Sequence, residues 1–293
     1  MKIFFNGLAS SLTEFYNHKD RYWFIIWILG LVIIWSWNFV FLNKPALYQL
    51  EYGFINTLTI SFLVILFSTI LAWSTVLIYH FVQQHYPSLQ IVLVFFINLI
   101  RSIPQIVGIL MGYVIMTLFI QEEILNSNIL ILIIMAFIIA VFIFLEVYDL
   151  LRERITYFSR SDFFDAMRVC GISERYIINR EIIWRSSRIH LMNKLISILG
   201  ISIFLLCSVD FIISVGLSTD VSSVNLPVTL GSLLAKIDSK QDILALGYSL
   251  THWGYVIRLP FEHLQGITVA ILIVFSLVCF YRIGNGYARR HHL

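Results

Sequence analysis

Four ionisable side chains interrupt the long apolar runs of this chain, and packing alone does not explain them. Arg101 lies in a run that also holds Pro104, Glu146 and Asp149 close another, and Asp210 stands within LLCSVDFIISVG. A charge at the centre of an apolar span costs about 2.5–3.5 kcal/mol on insertion scales unless it is paired or hydrated. Such groups line or gate a path for a polar solute, or they serve as structural partners. Arg101 is open to both roles, with Asp210 or Glu146 as its partner in the second. Pro104 removes a backbone donor and kinks its helix, as a hinge or as plain geometry. Asp210 is a substrate contact, a proton carrier or a gating residue, near enough to the outer end of its run for water to reach it. Asp149 and Arg152 have the i,i+3 spacing of an intrahelical pair at a solvated helix end. An intramembrane enzyme, such as a lipid-modifying transferase, would need Asp210, Glu146 and a His to converge. The sequence carries no H-E-x-x-H, no G-x-S-x-G and no G-x-x-x-x-G-K-[ST] phosphate loop. Nucleotide hydrolysis is therefore not expected of this chain. Cys170, Cys207 and Cys279 lack metal or redox spacing, and His291 and His292 lack a third ligand, so no cofactor is expected either.

The elements that position these residues are membrane spans. Apolar residues are 59% of the 293 and charged residues 13%, against about 45–50% and 25% in soluble domains. A soluble fold of that make-up would expose large apolar patches. At about 20 apolar residues per crossing, the candidates are 22–42, 54–82, 89–120, 129–145, 189–217 and 266–283. Six spans put both termini on one side. Fifteen of the 20 Lys and Arg then lie on that side or at its border, which the positive-inside rule makes cytoplasmic. The expected organisation is a cytoplasmic segment 1–21, a first span with a short external loop over 22–53, and a bundle over 54–293. Trp37, Trp253 and Tyr255 would mark the outer boundary.

The stretch 146–188 is long, basic and patterned. Ser161 and Asp162 can cap a helix running to Cys170, Gly171 breaks it, and Ser173 can cap a second helix from Glu174 to Trp184. Two short helices meeting at a Gly make a compact knob. A knob held on rigid spans can sit in a groove of a soluble partner and move the spans with it. The basic side chains around it also suit anionic lipid.

DAMRVCGISERYIINREIIW, residues 165–184, resembles the cytoplasmic signature loop of ABC importer permeases, E-A-A, three residues, Gly, nine residues and I-x-L-P. Asp165 stands for the Glu, Ala166 and Met167 for the two Ala, and Gly171 for the Gly. Trp184 stands about where the Pro is expected. LIRSIPQIVGIL (99–110) is similar to the stretch in such permeases where Arg precedes a small residue and Pro. SVGLS (214–218), NLPVTLGSLLAKI (225–237) and GNGYARR (284–290) are similar to parts of the dipeptide, oligopeptide and nickel branch, while 43–53 lacks that branch's long external loop. Phosphonate and polar amino-acid permeases share the Arg-x-x-Pro stretch.

The resemblance implies an all-α, six-helix, type I importer permease in a bacterial inner membrane. It would form half of a path for peptides or a related small solute. Asp165, Ala166, Met167, Gly171 and Ser173 would belong to the loop that docks on the ATP-hydrolysing subunit, and Arg101, Pro104 and Asp210 to the path or its gates. ATP would be bound by the partner. The implied partners are ATP-binding subunits, a second permease subunit, an extracytoplasmic substrate-binding protein docked over 218–263, and membrane lipids, with no nucleic acid.

Overall fold

The computed structural model describes residues 19–216, 226–235, 237–262 and 264–291. Among the described residues every regular element is helical: α1 (Lys19–Phe41), α2 (Lys44–His85), α3 (Pro87–Ser102), α4 (Gln105–Gln121), α5 (Asn128–Ser159), α6 (Asp162–Val169), α7 (Glu174–Tyr176) running into a π-helix (Ile177–Ser186), α8 (Arg188–Gly216), α9 (Leu230–Leu234), α10 (Ile237–Thr251), α11 (Leu259–Glu262) and α12 (Leu264–Arg290). Helices predominate for a physical reason: in hydrocarbon each backbone N–H and C=O must be satisfied within its own segment. α1, α2, α5, α8 and α12 are each long and apolar enough to cross a membrane, and α3 with α4 makes a sixth if counted as one broken span.

Side-chain pairs set the direction of each helix. Phe67 meets Phe137 and Tyr79 meets Tyr148, so α2 and α5 run parallel. A Cβ on Gly112 of α4 would lie 2.5 Å from Ile138 and one on Gly108 would strike Phe142, so α4 runs antiparallel to α5. Lys194 bonds Glu146, Gly200 lies against Phe280, and Trp27 donates to Ser276 at 3.1 Å; α8 is thus antiparallel to α5, α12 to α8, and α1 to α12. Asp20 and Arg290 pair at 2.7 Å, so the start of α1 and the end of α12 share one end of the bundle. That end also carries Arg101, Arg152 and Arg154, and is called here the basic end. Trp37, Phe41 and Phe261 cluster at the other.

Three expected boundaries change. The run 89–120 is not one helix: it breaks at Ile103–Pro104, and α3 and α4 meet at 95°. α4 alone, 17 residues and roughly 25 Å, returns alongside α5. Hence α3 lies across the basic end, with Ile91, Val92, Phe95, Phe96 and Leu99 exposed. The stretch 43–53 is helix rather than loop from Lys44 onward, making α2 42 residues long. The loop expected from residue 146 begins only after Ser159, because α5 continues for 32 residues. At roughly 63 and 48 Å, α2 and α5 outrun a hydrocarbon core of about 30 Å.

At the far end α9 is wedged between α2, α8 and α12. A Cβ on Gly231 would meet the Cys207 carbonyl at 2.6 Å and the Cys207 Cα at 2.7 Å. Those are backbone atoms and cannot swing aside. Gly231→Ala is expected to destabilise the protein by about 1–3 kcal/mol, as overpacking does. Gly247→Ala, in α10 with nothing within 4 Å, is expected to be neutral or to stabilise by up to about 1 kcal/mol. Thermal unfolding in detergent, followed by tryptophan fluorescence, distinguishes the two.

Candidate functional site

The knob forms where α5 ends. Ser161 starts α6 through its carbonyl, which accepts from Phe164 N–H at 2.9 Å; its hydroxyl donates back to Phe158 at 2.6 Å instead of capping. α6 has two apolar sides. Phe164 is buried, and Met167 packs against the core. Phe163, Ala166, Val169 and Cys170 face outward at helical spacing, with Val169 88% exposed and Asp165 exposed beside them. Gly171 then adopts φ +77°. Its N–H bonds Arg168 at 2.9 Å and the Ile172 N–H bonds Met167 at 3.2 Å. This is the Schellman stop, in which the left-handed residue favours Gly. Ser173 starts the next helix by its carbonyl, accepting from Ile177 N–H at 3.1 Å.

The second helix differs from the expectation. After Tyr176 it winds as a π-helix to Ser186. π-helices are rare and concentrate at functional sites. Ile177, Ile178, Ile182 and Ile183 are all fully buried, so the π segment is the root of the knob. Polar contacts tie it to the long helices. His80 of α2 meets Glu174 at 2.8 Å, Trp73 donates its indole N–H to Asn179 at 2.9 Å, and Arg154 of α5 donates to Ser187 at 3.2 Å. The knob is thereby fixed to the ends of α2 and α5, while Phe163, Ala166 and Val169 stay open.

Arg101 pairs with Asp149 at 2.6 Å, both about half exposed. It sits in the last turn of α3, just before the break, at the basic end of the bundle. Neither Asp210 nor Glu146 is its partner, and Asp149 pairs with Arg101 and not Arg152. Arg152 instead donates to the Tyr79 hydroxyl at 3.1 Å. Glu146 is held by Lys194. Pro104 is the N-cap of α4 at the 95° break.

Asp210 lies at the other end, sixteen residues beyond Lys194 on α8 and so roughly 24 Å away. It is 5% exposed, not open to water as expected. Thr229, the N-cap of α9, donates its hydroxyl to the Asp210 carboxylate and accepts from Ser232 N–H at 3.2 Å. Leu230 N–H donates to Thr57 Oγ1 at 3.0 Å and Asn56 to the Val228 carbonyl at 2.8 Å. Asp210 thus latches α9 between α8 and α2. Among the described residues the buried Tyr113 hydroxyl has no hydrogen-bond partner. The structure brings Arg101 and Pro104 together and keeps Asp210 apart. Glu146 and Asp210 do not converge, and among the described residues no three His, Cys, Asp or Glu gather as a metal site. Residues 1–18, 217–225, 236, 263 and 292–293, and with them most of the expected cytoplasmic segment, part of the expected docking stretch over 218–263 and His292, lie outside the described residues.

Compared with known protein families and with curated proteins, the chain matches none. His80, Trp73, Asn179 and Thr229 were not singled out by sequence. The only signal for them is polar residues breaking apolar helices, which names no partner.

Two substitutions probe these ends. A side chain at Gly171 meets open space, so only its φ resists replacement. Gly171→Ala is expected to destabilise the knob by about 1–2 kcal/mol and Gly171→Asn by less, since Asn tolerates the left-handed region; hydrogen exchange of Met167–Ile172 amides reads the difference. Thr229→Val leaves the Asp210 carboxylate buried without its donor and is expected to destabilise by about 1–3 kcal/mol, with Thr229→Ser close to neutral, by thermal unfolding.

Proposed function

We propose that this chain is the membrane-spanning permease subunit of an ATP-driven importer, taking peptides or a related small solute, with the knob as its contact to the ATP-hydrolysing subunit. One observation carries the reading: α6 turns an unpartnered apolar stripe outward while the helix behind it is rooted in the ends of α2 and α5. A push on Ala166 and Val169 therefore reaches the spans. The charge distribution supports a cytoplasmic basic end. The likeness of 165–184 to the permease signature loop names the partner.

In this account, ATP binding closes two nucleotide-binding subunits and shifts the cleft that grips residues 165–171. α2 and α5 transmit the shift. The latch of Thr229 on Asp210 opens at the far end, where an external binding protein delivers its solute. A second permease subunit completes the path. The change of access is a population shift set by the differential affinity of ATP for the two states.

The test is Val169→Glu, co-expressed with the ATPase subunit. At 88% exposure the substitution leaves the fold intact. Solute-stimulated ATP hydrolysis is expected to fall at least about tenfold, as for loss of an interface hot spot. Unchanged stimulation, with an unchanged melting curve, contradicts the docking role.

A further inference from the structure

We infer that the cavity between the basic-end termini of α1 and α12 binds the phosphate headgroup of an anionic membrane lipid. The cavity measures about 430 Å³ and is lined chiefly by Lys19, Tyr22, Trp23, Tyr281, Arg282 and Arg289. Lys19 of α1 and Arg282 and Arg289 of α12 face one space, and among the described residues no carboxylate lines it. Asp20 is engaged by Arg290 at 2.7 Å, and among the described residues neither Arg282 nor Arg289 has an ion pair. Those two are seven residues apart, on one face of α12 and roughly 10 Å apart along its axis.

Depth decides between a lipid and a soluble anion. Arg282 lies eighteen residues past Leu264, roughly 27 Å along α12, at the far edge of a hydrocarbon core of about 30 Å. Tyr22, Trp23 and Tyr281 are the residue types that settle at that border. The Arg282 guanidinium stands over the Trp23 ring at 5.6 Å, which aims it along the cavity wall. Beyond the cations the flank is apolar and open: Leu29 and Ile33, seven and eleven residues past Tyr22 on α1, and Val274 and Val278 on α12 are exposed. A phosphate held by the cations would leave acyl chains along that flank. The two helices cannot drift apart freely, because a Cβ on Gly286 would lie 2.6 Å from the Asp20 backbone nitrogen; they already touch there. The inference is independent of the coupling role.

The test is native mass spectrometry of the full chain in detergent with equimolar phosphatidylglycerol and phosphatidylcholine. The wild type is expected to retain phosphatidylglycerol preferentially. Arg282→Gln with Arg289→Gln is expected to lower that preference at least about tenfold. Arg282→Lys with Arg289→Lys, of equal charge, keeps most of it, and Arg175→Gln with Arg185→Gln on the knob leaves it unchanged. Excess inorganic phosphate does not displace the lipid. Equal retention of both lipids, or a Gln pair that behaves as wild type, overturns the proposal. An equal loss in the knob pair shows a diffuse basic surface and overturns it too. Displacement by inorganic phosphate overturns the lipid source in favour of a soluble anion.

Discussion

The packing of α2 against α5 is the interaction on which the rest of the molecule depends. It is the most extensive helix–helix contact in the structure. In lipid there is no hydrophobic gain from pressing two helices together, so association rests on close fit between small side chains. Ser61, Ser68 and Ala72 on α2, and Ala136 and Ala140 on α5, are buried to about 1% exposure or less. Ser61 returns its hydroxyl to the Thr57 carbonyl at 2.8 Å and Ser68 to the Ile65 carbonyl at 3.2 Å, so both seam serines are satisfied within their own helix. Because the two helices run parallel, both leave the bundle at the basic end. The knob has two rigid posts for that reason.

The same constraint explains the break at Pro104. α4 must return beside α5 from the end where α2 stops. A straight helix from residue 89 would carry the chain away from α5. Pro104 cannot donate, and the residue before a proline is driven to extended backbone; Ile103 has φ −87° and ψ 125° accordingly. The chain turns there, and α3 is left lying across the basic end. Arg101 falls at the bend, where its pair with Asp149 joins α3 to α5. At half exposure such a pair contributes at most about 1 kcal/mol, so it marks the bend more than it holds it.

Much of this architecture is written in local pattern. Apolar run length locates the spans, and the Gly171 stop is visible because a left-handed residue has a strong preference for Gly. The boundaries that failed depend on facts outside the run. α2 and α5 extend because their polar ends pack on each other and on the π-helix, which hydropathy does not record. The run 89–120 has the composition of one span, and only the packing of Gly108 and Gly112 against α5 shows that α4 alone pairs there. The i,i+3 spacing points Asp149 to Arg152, and the sequence leaves Arg101 open to Asp210 or Glu146; the structure pairs Arg101 with Asp149 and Glu146 with Lys194. Residues 48 apart meet across helices, as Arg101 meets Asp149 and Glu146 meets Lys194. The π winding of 177–186 has no compositional mark. Asp210 stands out in the sequence as a charge in an apolar run, but its role as a latch needed Thr229, which lies nineteen residues on.

The proposed coupling requires force to enter at the outward-facing stripe of α6. The most direct measurement places a photo-crosslinking amino acid at Ala166, and separately at Trp253 on the opposite end, in the full chain within its native membrane. Ala166 is predicted to capture a protein that carries a phosphate-binding loop and hydrolyses ATP, with a yield that changes on adding ATP, while Trp253 captures no such protein. Absence of an ATPase at Ala166, or equal capture at both positions, would contradict the account.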